Sequence, residues 1–178
     1  MSIGRFWRTV RHLNADQWRY RLHRRGRHVL ARLAPARWAK RLEKLTRATP
    51  IADPTRPALN AVANQVLGHQ IAVHGTGLAA IAAGRFTFLG DTVDFGGIKN
   101  VDWRRAVGGD NDLLWRLNLG YMGYAVPWLA SGKPADRARV AHLVQSLEAQ
   151  NPWDAPGVFR DIWNPYTASH RLINLLAG

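Results

Sequence analysis

Three prolines within nine residues, Pro50, Pro54 and Pro57, divide this chain into two parts of different electrical character. Proline lacks an amide hydrogen and holds φ near −65°, so a cluster of this density ends a helix and reads as a linker over 49–57. Before it, residues 1–48 hold 14 Lys or Arg against Asp16 and Glu43, which is +12 of the formal +13. After it, residues 58–178 are close to neutral, with acids and bases interspersed. The basicity therefore belongs to an arm and not to the body. Such an arm can attract phosphate, anionic lipid or acidic glycan through the same long-range field, or lie as a solvated helical face across its own body.

The arm has the pattern of helix. Asn14 followed three residues later by Gln17 has the form of a capping box, and Trp18, Leu22, Val29, Leu30 and Leu33 then recur on one side. Arg19, Arg21, Arg24, Arg25, Arg27 and Arg32 occupy the other sides, and Gly26 weakens the middle. Pro35 opens a second helix through Trp38, Leu42 and Leu45, because a first-turn amide needs no partner. No apolar stretch and small-residue cleavage site follow the basic start, so no secretory signal is read, and the longest aliphatic run, residues 78–83, is too short to span a bilayer. The expected localisation is cytoplasmic by default.

The body is expected to be mainly helical. Leu59, Val62, Val66, Leu67 and Ile71 form one apolar face, which Gly75 and Gly77 interrupt. Phe86, Phe88, Val93 and Phe95 alternate with polar residues about Gly90-Asp91, which predicts a short β-hairpin, and Gly96-Gly97 predict a tight turn after it. Beyond Gly109, Leu113, Leu114, Leu117, Tyr121, Tyr124 and Ala125 make a helical stripe with Pro127 near its end. A further helix over 135–149 places Val140, Leu143, Val144 and Leu147 together, and Asn151-Pro152 stops it. A last helix spans 167–176.

Local spacing assembles no catalytic constellation. The seven histidines are scattered, and His69 and His74, five apart, miss the i, i+4 pairing of a helical metal site. No metal and no cofactor are expected. Zero cysteines exclude disulfides, thiol nucleophiles and zinc-thiolate sites. Asp91 with Asp94, and Asp110 with Asp112, read as turn and cap residues before catalytic pairs. The body's tryptophans, Trp103, Trp115, Trp128, Trp153 and Trp163, suit either sugar stacking or core filling, with core filling favoured.

Four segments in order carry a further signal. They are Phe86-Thr87-Phe88-Leu89-Gly90, Val101-Asp102-Trp103-Arg104, Leu114-Trp115-Arg116-Leu117-Asn118-Leu119-Gly120-Tyr121, and Trp163-Asn164-Pro165-Tyr166-Thr167-Ala168-Ser169-His170-Arg171-Leu172-Ile173-Asn174. Together with Arg8-Thr9-Val10 and Gln17-Trp18-Arg19-Tyr20-Arg21, this order resembles the N-terminal region of heparinase II/III-like polysaccharide lyases. The resemblance implies the first helical hairpins of an α/α toroid. It also implies β-elimination on acidic, uronate-containing polysaccharides, in which Asn or His polarises the carboxylate while Tyr or His moves the proton. A periplasmic location is compatible with it.

The resemblance places Tyr121, Tyr166 and Arg171 on the substrate groove and assigns no catalytic residue, because its Asn-His pair and catalytic tyrosine would lie beyond Asn174. Two departures occur within the matched part, Gly120 where a histidine is common and Leu175 where a tryptophan is usual. Arg171 can face an anionic sugar or pin the preceding loop to the bundle. The leading expectation is thus the N-terminal portion of a lyase, inactive alone. The alternatives are a noncatalytic acidic-glycan binding or assembly module, and a nucleic-acid or anionic-membrane binder acting through the arm. Self-association through the last helix is also expected, since Leu172, Ile173, Leu175 and Leu176 cannot share one narrow face.

Overall fold

A computed structural model describes residues 14–48, 57–108 and 112–178, with the side chains of residues 28, 32 and 57–59 excepted. The Arg8-Thr9-Val10 segment, Gly109, Asp110 and residues 49–56 of the linker lie outside the described residues. Among the described residues the fold is mainly helical, with one antiparallel two-stranded hairpin.

The arm forms α1 (Ala15–Leu33) and α2 (Pro35–Ala48), which pack on each other. Asn14 caps α1 reciprocally: the Gln17 amide donates to Asn14 Oδ1 at 2.8 Å, and the Asn14 amide donates to Gln17 Oε1 at 3.2 Å. Two otherwise orphaned amide donors are thereby satisfied. Gly26 leaves α1 continuous, and Pro35 opens α2. Between the helices, Trp38 lies under two guanidinium groups, Arg27 at 5.3 Å and Arg41 at 5.8 Å from the ring centroid. These contacts join the pair without enclosing a core, and α2 has no buried residue.

In the body, α3 (Pro57–His74) runs into a 3₁₀ turn at Gly75–Gly77 and then α4 (Leu78–Ala82). Strands β1 (Arg85–Phe88) and β2 (Asp91–Asp94) pair with Phe86 opposite Val93. Leu89 and Gly90 both take positive φ, as the tight turn between twisted strands requires. Phe95 falls just beyond β2 and still packs on the core. Its amide donates to the Gly84 carbonyl at 3.0 Å, and Gly84 lies so close to the Gly97 backbone that no Cβ could be accommodated there.

Helix α5 (Asp112–Tyr121) turns through left-handed Met122 and a 3₁₀ segment, Gly123–Ala125, into α6 (Val126–Ala130). Two expectations are corrected here. Pro127 sits in the first turn of α6 and does not mark a helix end. The buried side of α5 is Trp115, Leu119 and Gly120, whereas Leu113 and Leu114 are exposed. The reason is the hairpin: Phe88 meets Trp115 edge-on at 5.3 Å, and the indole donates to the Asp91 carbonyl at 3.0 Å, which sets the rotation of α5.

Helix α7 (Pro134–Gln150) buries Val140, Leu143 and Leu147, and stops at Asn151, whose amide side chain donates to the Leu147 carbonyl. Helix α8 (Pro165–Ala177) is capped by Asn164, which accepts the Thr167 amide at 2.9 Å. It packs against α3, α5 and α6. The core joins the hairpin to these helices around Phe86, Trp103, Trp115, Tyr124 and Leu143, each fully buried. Trp103 and Trp115 therefore fill the core, as does Trp128.

Candidate functional site

Helix α8 turns polar side chains fully inward and leaves most of its aliphatic ones exposed, with Leu175 partly buried against the core. Its buried residues are Thr167, Arg171 and Asn174, spaced four and three apart on one face. Leu172, Ile173 and Leu176 are exposed. This inversion has a definite cause. Helix α5 ends inside the body, and its last carbonyls need donors that no following turn supplies. Tyr124 Oη donates to the Leu119 carbonyl at 3.1 Å, Arg171 Nε to that of Gly120 at 2.9 Å, and Asn174 Nδ2 to that of Tyr121 at 2.9 Å. Three consecutive orphan acceptors are thus closed by side chains from outside the helix.

Gly120 permits this approach, since a Cβ there would lie 3.2 Å from the Thr167 methyl and 3.6 Å from the Arg171 guanidinium. The position where the resembling family commonly has histidine is therefore filled by neighbouring side chains. Gly123 is closer still to Gln70, since a Cβ there would lie 2.5 Å from Gln70 Oε1; the Gln70 amide donates to Asn174 Oδ1 at 3.2 Å and draws α3 into the same network.

Arg171 is 6% exposed. Besides Gly120, it donates through Nη2 to the Ile162 carbonyl at 2.9 Å and lies over the Trp163 ring at 5.1 Å. Burial pulls its pKa down to about 10, a shift that Tyr124 and Glu148 oppose. The guanidinium is turned inward and holds the loop before α8 to the end of α5. Of the two roles the sequence left open, pinning is the one these contacts serve.

The other two residues come together at the surface. Tyr121 and Tyr166 meet edge-on with ring centroids 5.9 Å apart, and His170 joins both, at 4.9 Å from Tyr121 and 4.4 Å from Tyr166. Tyr166 is 62% exposed, while Tyr121 and His170 are half-buried. Burial, with a contribution from Tyr166, raises the Tyr121 phenol above its usual range, so it is a protonated donor at neutral pH. His170 was not singled out as a binding residue from the sequence. Its spacing of four from Tyr166 on a helix was the available signal. The cluster presents ring faces, two hydroxyls and an imidazole, groups suited to stacking on and hydrogen bonding to a sugar ring.

The remaining motif residues hold the scaffold. Asp102 accepts the Arg104 amide, Trp103 donates to Ser146, and Arg104 reaches the Pro156 carbonyl at 2.9 Å. Asp94 accepts the Gly96 amide, the turn role expected of it, and Asp112 accepts the Val107 amide and so holds the loop before α5. Trp163 donates to the Asn151 carbonyl at 2.7 Å. Among the described residues, no group of three or more His, Asp or Glu side chains is placed to hold a metal ion. Compared with protein-family models, with curated proteins and with solved structures, the chain finds no match in any of the three.

Proposed function

We propose that this chain is the N-terminal, helical portion of a heparinase II/III-like polysaccharide lyase, and that by itself it binds uronate-containing glycans without cleaving them. The observation that carries this reading is the surface cluster of Tyr121, Tyr166 and His170, formed by two of the four segments through which the sequence resembles that family. Stacked rings beside hydroxyl donors are the means by which proteins hold sugar faces. The packed helices of the body are compatible with the first hairpins of an α/α toroid, and the exposed apolar side of α8 offers a surface for further helices.

Cleavage by β-elimination needs a group that neutralises the uronate carboxylate before the adjacent proton can be taken. Beneath the cluster, Arg171 and Asn174 donate to the carbonyls of Gly120, Ile162 and Tyr121. Neither aims its donors at a ligand. A noncatalytic glycan-binding module is the second reading, and the same geometry favours it.

The test pairs binding with product formation. Incubated with alginate, heparin and heparan sulfate, the purified chain should release no unsaturated uronate detectable by ultraviolet absorbance. It should retain one of these glycans at about 0.5 M salt, where exposed charge attraction is screened beyond a few ångströms. Tyr166→Ala with His170→Ala should remove that retention. Product formation would overturn the noncleaving assignment, and salt-resistant binding unaffected by the double variant would overturn the site.

A further inference from the structure

The arm carries an apolar stripe that its own partner helix leaves bare. Trp18, Leu22, Val29 and Leu33 recur at spacings of four, seven and four, which puts them on one side of α1. Leu22 is 61% exposed, Val29 52% and Leu33 78%. Helix α2 lies along the adjacent side, where His23, Gly26, Arg27 and Leu30 face Trp38 and Leu42 across a shallow groove. The stripe is edged by Arg21 and Arg25, both exposed, while Arg24 lies on the far side of the helix. Between residues 14 and 48 the sequence has eleven Lys or Arg against Asp16 and Glu43.

Three occupants make different demands on such a face. A nucleic acid would engage the arginines through its phosphates and leave the leucines and valine in water. A second copy of the arm would bring the same excess of positive charge against itself, at a cost that rises as the faces approach. A bilayer surface with anionic headgroups satisfies both features together: the stripe sinks to the acyl boundary while the arginines extend their stems outward to phosphate. No described helix is long and apolar enough to cross a membrane, so the arm would lie on the surface, with about 28 Å of α1 in its plane.

We infer that the α1–α2 arm is a membrane-surface docking element for anionic phospholipid, separate from the ring cluster on the body. Flotation of the full chain with vesicles tests it. At about 0.15 M salt the chain should float with phosphatidylcholine vesicles containing about 30% phosphatidylglycerol and remain below with pure phosphatidylcholine. Each of R21Q and R25Q, beside the stripe, should weaken capture about fivefold, and R24Q, on the far side of the helix, should weaken it less. The double variant L22S/V29S should weaken it at least about tenfold with helicity by circular dichroism unchanged, because lost burial and not lost charge is then being read. L22S/V29S floating like the parent chain would reduce the arm to nonspecific charge and overturn the inference. So would absence of capture on the anionic vesicles, or a duplex DNA that displaces the vesicles and holds L22S/V29S as tightly as the parent.

Discussion

Replacing Arg171 by Met separates the two roles that an arginine in its motif can serve. The substitution keeps much of the apolar stem and deletes the donors to the Gly120 and Ile162 carbonyls, both made within the body at 2.9 Å. Hydrogen bonds from a charged donor contribute about 1.5–3 kcal/mol each, and removing the donor leaves buried acceptors unpaired. Against this stands the cost of holding a guanidinium out of water, visible in the descent of its pKa to about 10. A net loss of about 3 kcal/mol follows. For a chain of this length that lowers Tm by roughly 6–12 °C. Thermal unfolding followed by circular dichroism measures it, beside Tyr166→Ala, whose exposed ring should leave Tm within about 2 °C. Arg171→Lys should recover less than half of the loss, since one ammonium cannot reach two divergent carbonyls with the fork geometry of arginine. An Arg171→Met variant as stable as the parent but unable to retain glycan would refute the reasoning and assign the guanidinium to a ligand.

Gly84→Ala should be among the most destabilising single substitutions in the body, on the order of 4 kcal/mol, because positive φ at residue 84 coincides with the backbone of Gly97 where a Cβ would go; chemical denaturation checks it. His74 packs edge-on to the Tyr124 ring, and burial, with His69 nearby, lowers its pKa, so the unfolded chain gains a proton at about pH 6.5 before the folded chain does. That contribution to stability is complete above about pH 6.5 and declines as pH falls below it; His74→Phe should flatten the decline between pH 7.5 and 5.5, and an unchanged slope would place its origin elsewhere. Leu172 and Leu176, 59% and 62% exposed on α8, should drive concentration-dependent self-association in sedimentation velocity, with Leu172→Glu plus Leu176→Glu restoring a monomer.

Features written in local chemistry were legible before the fold was known. The Asn14–Gln17 box, the Pro35 start, the hairpin around Gly90 and the buried side of α7 each depend on residues within a few positions of one another. The face of α5 was misread because aliphatic spacing favoured Leu113 and Leu114, while Trp115 is turned inward by Phe88 and the Asp91 carbonyl, more than 20 residues earlier. The break at Met122 has no residue signature, since a methionine rarely takes positive φ. The candidate site was legible in part. Tyr121 and Tyr166 were named from their segments and do meet, but His170 between them required the helical phase of α8. For Arg171 the sequence left an inward and an outward role open, and nothing in α8 decides that Thr167, Arg171 and Asn174 face inward, because the acceptors for Arg171 and Asn174 on α5 lie 51 and 53 residues away.

The side chains that close the carbonyl end of α5 also decide how this body comes apart. Because Arg171 and Asn174 terminate a helix that belongs to the middle of the chain, the final segment cannot detach as an independent flap; its departure uncovers the Gly120 and Tyr121 acceptors beside the fully buried Tyr124. Fraying from the C-terminus and melting of the interior are therefore one event. Amides of α8 should accordingly exchange with solvent on the timescale of global opening despite their place near the end of the chain, where exchange is ordinarily fastest.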